Sequence, residues 1–163
     1  MASRQTFAVF ASSRQFYVFD PNEPCRTGAD DDFWTEEAFE RGLAVQAGWI
    51  GVATDTNGDV PVSVEVLESE PEAPLDAWDH VVETSLRLSG NRLIIAGCPD
   101  LVPVVIIPLG PGWVRVRICA VIPRSNRGDP GGVKYRGDRY LIQLWRSELP
   151  GTAVLKRFAR GPI

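Results

Sequence analysis

Three stretches of the 163-residue chain hold side chains whose types and spacing bear on chemistry. In DTNGD, Asp55, Asn57 and Asp59 stand at the first, third and fifth positions of a calcium loop, where oxygen ligands alternate. Val60 occupies the place of the glycine such a loop needs, and Val66 that of its bidentate glutamate, so the stretch reads as a turn. The single histidine, His80, has Asp76, Asp79 and Glu83 near it in DAWDHVVE, and a thiol such as Cys98 could pair with it as a nucleophile. On a strand, however, Asp79 and His80 project to opposite faces, and AGCPD carries no thiol-enzyme signature, so His80 reads as structural. The third stretch, GADDDFWTEEAFERG, packs six carboxylates into eleven residues: Asp30, Asp31, Asp32, Glu36, Glu37 and Glu40. None of the three makes a catalytic set, a metal site or a cofactor motif, and a protein that is not an enzyme is expected.

Part of that acidity has a local use. Thr35 can cap a helix whose first turn holds Glu36 and Glu37, where the helix dipole favours anions by roughly 0.3–1 kcal/mol each. Ala38, Phe39, Leu43 and Val45 offer it an apolar side, and Gly42 loosens its end. Asp30 to Asp32 have no such explanation. The net charge of −4 also hides an asymmetry, since residues 1–80 hold 16 acidic residues against 4 arginines, and residues 81–163 hold 5 acidic against 13 basic. Such charges pair across strands or lie on solvated faces, or they meet a charged partner. The basic share gathers around GDPGGVKYRG, Gly128 to Gly137, with Arg124, Arg127, Lys134, Arg136 and Arg139. It lacks the spacing of a phosphate-binding loop and reads as a solvated connection.

The elements that must position these residues are mostly strands. Apolar and polar residues alternate in RQFYVFD (Arg14 to Asp20), AGWIGVAT (Ala47 to Thr54), VPVSVEVLE (Val60 to Glu68), HVVETSLRL (His80 to Leu88), RLIIAG (Arg92 to Gly97), VPVVIIPL (Val102 to Leu109), WVRVRICAV (Trp113 to Val121) and DRYLIQLWRS (Asp138 to Ser147). TNGD and SGN between them read as hairpin turns. In WVRVRICAV, Val114, Val116 and Ile118 face a core while Arg115 and Arg117 face outward. Trp49, Ile50 and Val52 join that core, although Trp49 and Ile50 cannot both point inward from one regular strand. The expected fold is mainly β: an antiparallel two-sheet β-sandwich with one short α-helix near the N-terminus, formed as a single domain over residues 1–163. A hydrophobic share of 44% and a charged share of 23% are those of a globular chain. No apolar run is long enough for a membrane span or a signal-peptide core, so a cytoplasmic protein is expected. Cys25, Cys98 and Cys119 fit neither a disulfide framework nor a zinc site and read as buried free thiols. The five tryptophans, Trp34, Trp49, Trp78, Trp113 and Trp145, read as core or half-buried anchors.

SSRQFYVFD followed by WTEEAFERGLAVQAGWIGV resembles the competence protein J family, ComJ, most closely over Ser12 to Thr54. Shared are a Gln-Phe-x-Val-Phe strand, a Trp-Thr-x-Glu-Ala-x-x-x-Gly helix and a glycine-containing strand; beyond Thr54 the likeness is one of pattern. The CRTGADDD segment and the glycine-rich loop depart from the family. The resemblance implies a non-catalytic inhibitor of a bacterial DNA nuclease, all-β-like and without cofactor. The expected contact is Asp30, Asp31, Asp32, Trp34, Glu36, Glu37 and Glu40 against a basic active-site region, with no direct nucleic-acid binding and no membrane partner. The alternatives are a small-ligand or carbohydrate-binding β-sandwich with tryptophans in a cleft, and a nucleic-acid surface on the basic C-terminal half.

Overall fold

The computed structural model describes residues 3–25, 33–73, 75–123 and 137–158. Among them the chain runs β1 (Arg4–Ala11), a single 3-10 turn, β2 (Gln15–Phe19), α1 (Glu36–Arg41), β3 (Leu43–Gln46), β4 (Trp49–Ala53), β5 (Gly58–Val66), β6 (His80–Leu88), β7 (Arg92–Ala96), β8 (Pro103–Pro108), β9 (Gly112–Val121), β10 (Arg139–Arg146) and β11 (Ala153–Lys156). One sheet has the order β1-β5-β10-β9-β6-β11 and the other β3-β4-β2-β7-β8. The fold is thus mainly β with two sheets and one helix. All eight strands expected from alternation are present, as β2 and β4 to β10.

The two sheets share one apolar core. Val9, Val62, Leu86, Val116 and Ile142 from the six-stranded sheet meet Phe16, Val18, Ile50, Leu93 and Ile107 from the five-stranded one. The ring of Phe16 meets that of Tyr140 edge-on, 5.9 Å between centroids. Val114, Val116 and Ile118 are in this core, as are Ile50 and Val52, while Trp49 is buried on the opposite face of β4. The alternation rule therefore assigns both neighbours to interiors, one on each side of the sheet.

Several expectations need correction. The sheets are not wholly antiparallel: β5 and β10 run parallel, with Tyr140 opposite Val62. The long chain between them leaves their relative direction unconstrained by a tight turn. TNGD and SGN are not hairpins but crossovers between sheets, each held by a buried aspartate. The Asp138 carboxylate accepts from the Asp55 N–H at 2.9 Å, the Thr56 N–H at 3.1 Å and the Thr56 hydroxyl. Asp20 accepts from the Ser89 N–H and hydroxyl, both at 2.8 Å. Asn57, at the third position of the calcium-loop pattern, accepts from the Ser13 N–H through its side-chain oxygen. The helix ends at Arg41, because Gly42 takes a left-handed φ of 72° that closes it, and Leu43 and Val45 belong to β3. Of the cysteines Cys119 is buried, Cys98 half-buried and Cys25 exposed. Burial pushes the Cys119 thiol up to about 12.

The largest correction concerns Arg115 and Arg117, each only 2% exposed. Glu83 lies directly opposite Arg117 on β6 and accepts from Arg115 Nε at 3.1 Å and Arg117 Nε at 2.9 Å. Their remaining donors tie down two irregular segments that cross this outer face: Arg117 bonds the Pro71 carbonyl, and Arg115 the carbonyls of Leu149 and Gly151. Arg117 also lies 4.7 Å from the Trp145 ring centre. β9 sits in the middle of its sheet, and covering its outer face turns what the sequence pattern reads as a solvated side into an interior.

Candidate partner-binding face

The acidic helix begins where the sequence places it. Thr35 accepts the Ala38 N–H through its hydroxyl at 3.1 Å, which caps α1. Only Ala38 of the helix is buried, so Glu36, Glu37 and Glu40 stand exposed on its other sides. Glu37 is 3.9 Å from Arg41, one turn on, a solvated contact of small energetic weight.

The approach to the helix fixes its position. Phe33 is buried, and Trp34 is half-buried with its indole N–H donating to Gln15 Oε1 at 2.6 Å. The Tyr17 hydroxyl donates to the same oxygen at 2.9 Å. Both rings lie over β4 at Gly51, where an added Cβ would come within 2.8 Å of Phe33 and of Trp34. A glycine at this point of the strand lets two large rings settle onto the backbone. Tyr17, Phe19, Trp49, Ala44 and Ile94 complete the apolar cluster beneath. At the far end, His80 Nδ1 accepts from the Phe158 N–H at 3.1 Å, so its Nε2 carries the proton and donates to the Arg41 carbonyl at 2.6 Å. Arg157 donates to the Glu40 carbonyl at 3.1 Å. The helix is pinned to one sheet by aromatic rings and to the other by a histidine.

Four of the seven expected contact residues, Trp34, Glu36, Glu37 and Glu40, therefore lie together on α1 and its lead-in; Asp30, Asp31 and Asp32 fall outside the described residues. The sequence reading missed Phe39, which it assigned to the buried side. Phe39 is 58% exposed and stacks on Trp34 with centroids 5.2 Å apart. The signal was the left-handed glycine at position 42, which makes the helix too short to bury two sides. A pair of accessible aromatic rings beside three carboxylates can take an apolar anchor and a cationic rim from another protein.

The other candidates fall elsewhere. Both His80 ring nitrogens are engaged with backbone, and Cys98 lies against the Tyr17 cluster on the other sheet. Burial, with the nearby Asp100 charge, raises the Cys98 thiol despite a hydrogen bond with Tyr17, which disfavours a thiolate. Among the described residues no three His, Cys, Asp or Glu side chains are placed to hold a metal, and no helix is long and apolar enough to cross a membrane. Trp49, Trp78 and Trp145 are buried, and Trp113 alone of the five tryptophans lines the groove described below. Residues 124–136 of the basic loop lie outside the described residues; Arg139 stacks its guanidinium 5.7 Å from the Trp78 ring.

Known structures with this architecture define a class. The chain is similar to the crystal structure of ComJ, inhibitor of the DNA degrading activity of NucA, from Bacillus subtilis. The likeness has a TM-score of 0.66 at 20% identity and covers 90% of this chain and 99% of that one. A protein described as crocagin biosynthetic gene J matches with a TM-score of 0.54 at 14% identity, over 88% and 97% of the two chains. The fold is ComJ-like. No protein-family model matches the chain, and neither does any curated protein.

Proposed function

We propose that this chain is a non-catalytic cytoplasmic protein that binds and inhibits a bacterial DNA nuclease, as an inhibitor or immunity protein, through the face built on α1. The observation that carries the reading is the accessible Trp34–Phe39 stack set among Glu36, Glu37 and Glu40 on a helix anchored at both ends. A nuclease must hold phosphates and is basic where it does so, and carboxylates on a rigid frame complement that charge. Charge of this kind speeds the encounter, while the rings supply the desolvated contact that holds it. Asp30, Asp31 and Asp32 extend the same acidic run in sequence and are assigned to the contact with it. The ComJ-like fold supports the reading, since the ComJ of known structure inhibits a DNA-degrading activity.

The test is a DNA-degradation assay with NucA, whose activity the ComJ of known structure inhibits. Added at equal molarity, the chain is expected to abolish cleavage, and Phe39→Ala, which removes an exposed ring, is expected to restore it while leaving the fold intact. Full cleavage in the presence of excess parent protein contradicts the proposal.

A further inference from the structure

A groove of about 1030 Å³ opens on another side of the molecule, lined by none of the residues of α1. One wall is the β3–β4 turn, Val45 to Gly48; the other is the second half of β6, Thr84 to Leu88, continued by Trp113. This wall is an open strand edge. β11 pairs with β6 only at Val81, Val82 and Glu83. The Thr152 and Thr84 hydroxyls meet at 2.8 Å, and at Gly151 the chain turns away. Among the described residues no strand pairs with Thr84–Leu88 on that side. In an antiparallel ladder alternate residues aim both N–H and C=O to one side, so two or three of these five residues present main-chain groups to the groove.

Exposed edges are ordinarily closed by proline or charge. The edge strand β8 is bracketed in this way by Pro103 and Pro108, whereas Thr84–Leu88 contains no proline and a single charge, Arg87. On the opposite wall Gln46 Oε1 is buried and accepts no hydrogen bond from the described residues. We propose that this groove takes an extended polypeptide segment of a partner protein, which adds to β6 as a strand in line with β11. Five residues of strand span about 17 Å, which sets the length of the segment. Its alternate side chains turn inward against the half-buried Val45, at the rim of the core that encloses Leu86 and Leu88, which selects apolar residues. The others turn outward beside Arg87 and Trp113, cross-strand neighbours on the outer face, which selects carboxylates or aromatic rings. Trp113 is 45% exposed and free to stack. A small ligand would use the rings and hydroxyls of the groove but not its ladder of main-chain groups. The proposal does not rest on the nuclease reading, since it concerns different residues.

The test pans a random heptapeptide display library against the full-length protein, with the Arg87→Ala, Trp113→Ala double variant as counter-screen. Both positions are exposed, so the variant is expected to melt with the parent. Selected peptides are expected to alternate apolar with acidic or aromatic residues and to slow hydrogen exchange at the amides of Thr84–Leu88. N-methylating a peptide nitrogen that faces β6 is expected to weaken binding about tenfold, and the next position along to be tolerated. Three results overturn the proposal: no sequence enriched over the double variant, protection confined to other amides, or N-methylation equally harmless at every position. The last would mark a site that reads side chains or small molecules only.

Discussion

Two charged regions lie on the outer faces of the two sheets, and they behave in opposite ways. On one, Arg115 and Arg117 enclose Glu83 beneath the segments that carry Pro71, Leu149 and Gly151. On the other, Glu36, Glu37 and Glu40 stand in solvent on α1, with one distant contact to Arg41. In the first region both guanidiniums find acceptors inside the molecule, and the charges serve as fasteners for chain that lacks a ladder of its own. In the second, one sign dominates and the described residues supply no closer counterpart than Arg41, which leaves the charge available to another molecule. A count of charged residues therefore says little until the partners are known.

The sharpest way to break this contrast is to remove Glu83. Glu83→Ala leaves two guanidiniums buried without their carboxylate and is expected to cost about 3–5 kcal/mol, read from denaturant midpoints. An unchanged midpoint would mean that the network is solvated after all. Gly51→Val comes next. It pushes Phe33 and Trp34 off β4 and is expected to cost about 1–3 kcal/mol, with a changed tryptophan emission spectrum. Glu83→Ala should leave the Trp34 ring in place, because that ring rests on β4 of the other sheet.

A smaller effect concerns acid. Burial pushes the Asp20 carboxyl up, but hydrogen bonds from the Ser89 N–H, the Asn22 N–H and the Ser89 hydroxyl outweigh it and hold the group below the ordinary aspartate value of 3.8. The unfolded chain then binds the proton first, so the stability Asp20 supplies is present above pH 3.8 and is lost as pH falls through its lower folded value. Thermal melts between pH 6 and pH 3 are expected to converge for parent and Asp20→Asn at the acid end. A constant gap would contradict this. Smallest of all in stability, Phe39→Ala on the exposed face is expected to change it by no more than about 0.5 kcal/mol. Its effect should be confined to partner binding.

Much of this architecture was legible in the sequence because alternation reports burial of one strand face directly. The strand β6 has the ends expected, His80 and Leu88, and Trp49 and Ile50 are both buried on opposite faces as period two demands. Three strands escaped. β1 shows its alternation only over Phe7, Val9 and Ala11; β3 reads equally as the end of a helix; β11 has four residues. TNGD and SGN carry real turn chemistry, but whether a turn joins neighbours in one sheet or crosses between two depends on Asp138 and Asp20, distant in the chain. The same holds for Arg115 and Arg117, whose burial depends on segments folded over them. On the candidate face the cap, the helix start and the carboxylates were readable, whereas exposure of Phe39 follows from where the helix stops.

The central claim is that the carboxylates of α1 are aimed at a basic partner and are not merely solvated. Its most direct test changes Glu36, Glu37 and Glu40 together to Gln, confirms an unchanged melting temperature, and measures association with NucA, whose activity the ComJ of known structure inhibits, at low and at high salt. Complementary charge raises association from about 10⁵–10⁶ M⁻¹s⁻¹ towards about 10⁸ M⁻¹s⁻¹ at low salt, and screening removes most of that gain. The triple variant is expected to associate at least about tenfold more slowly than the parent at low salt and to match it at high salt. Equal rates for the two proteins at both ionic strengths would contradict the claim and leave α1 an acidic helix with no partner.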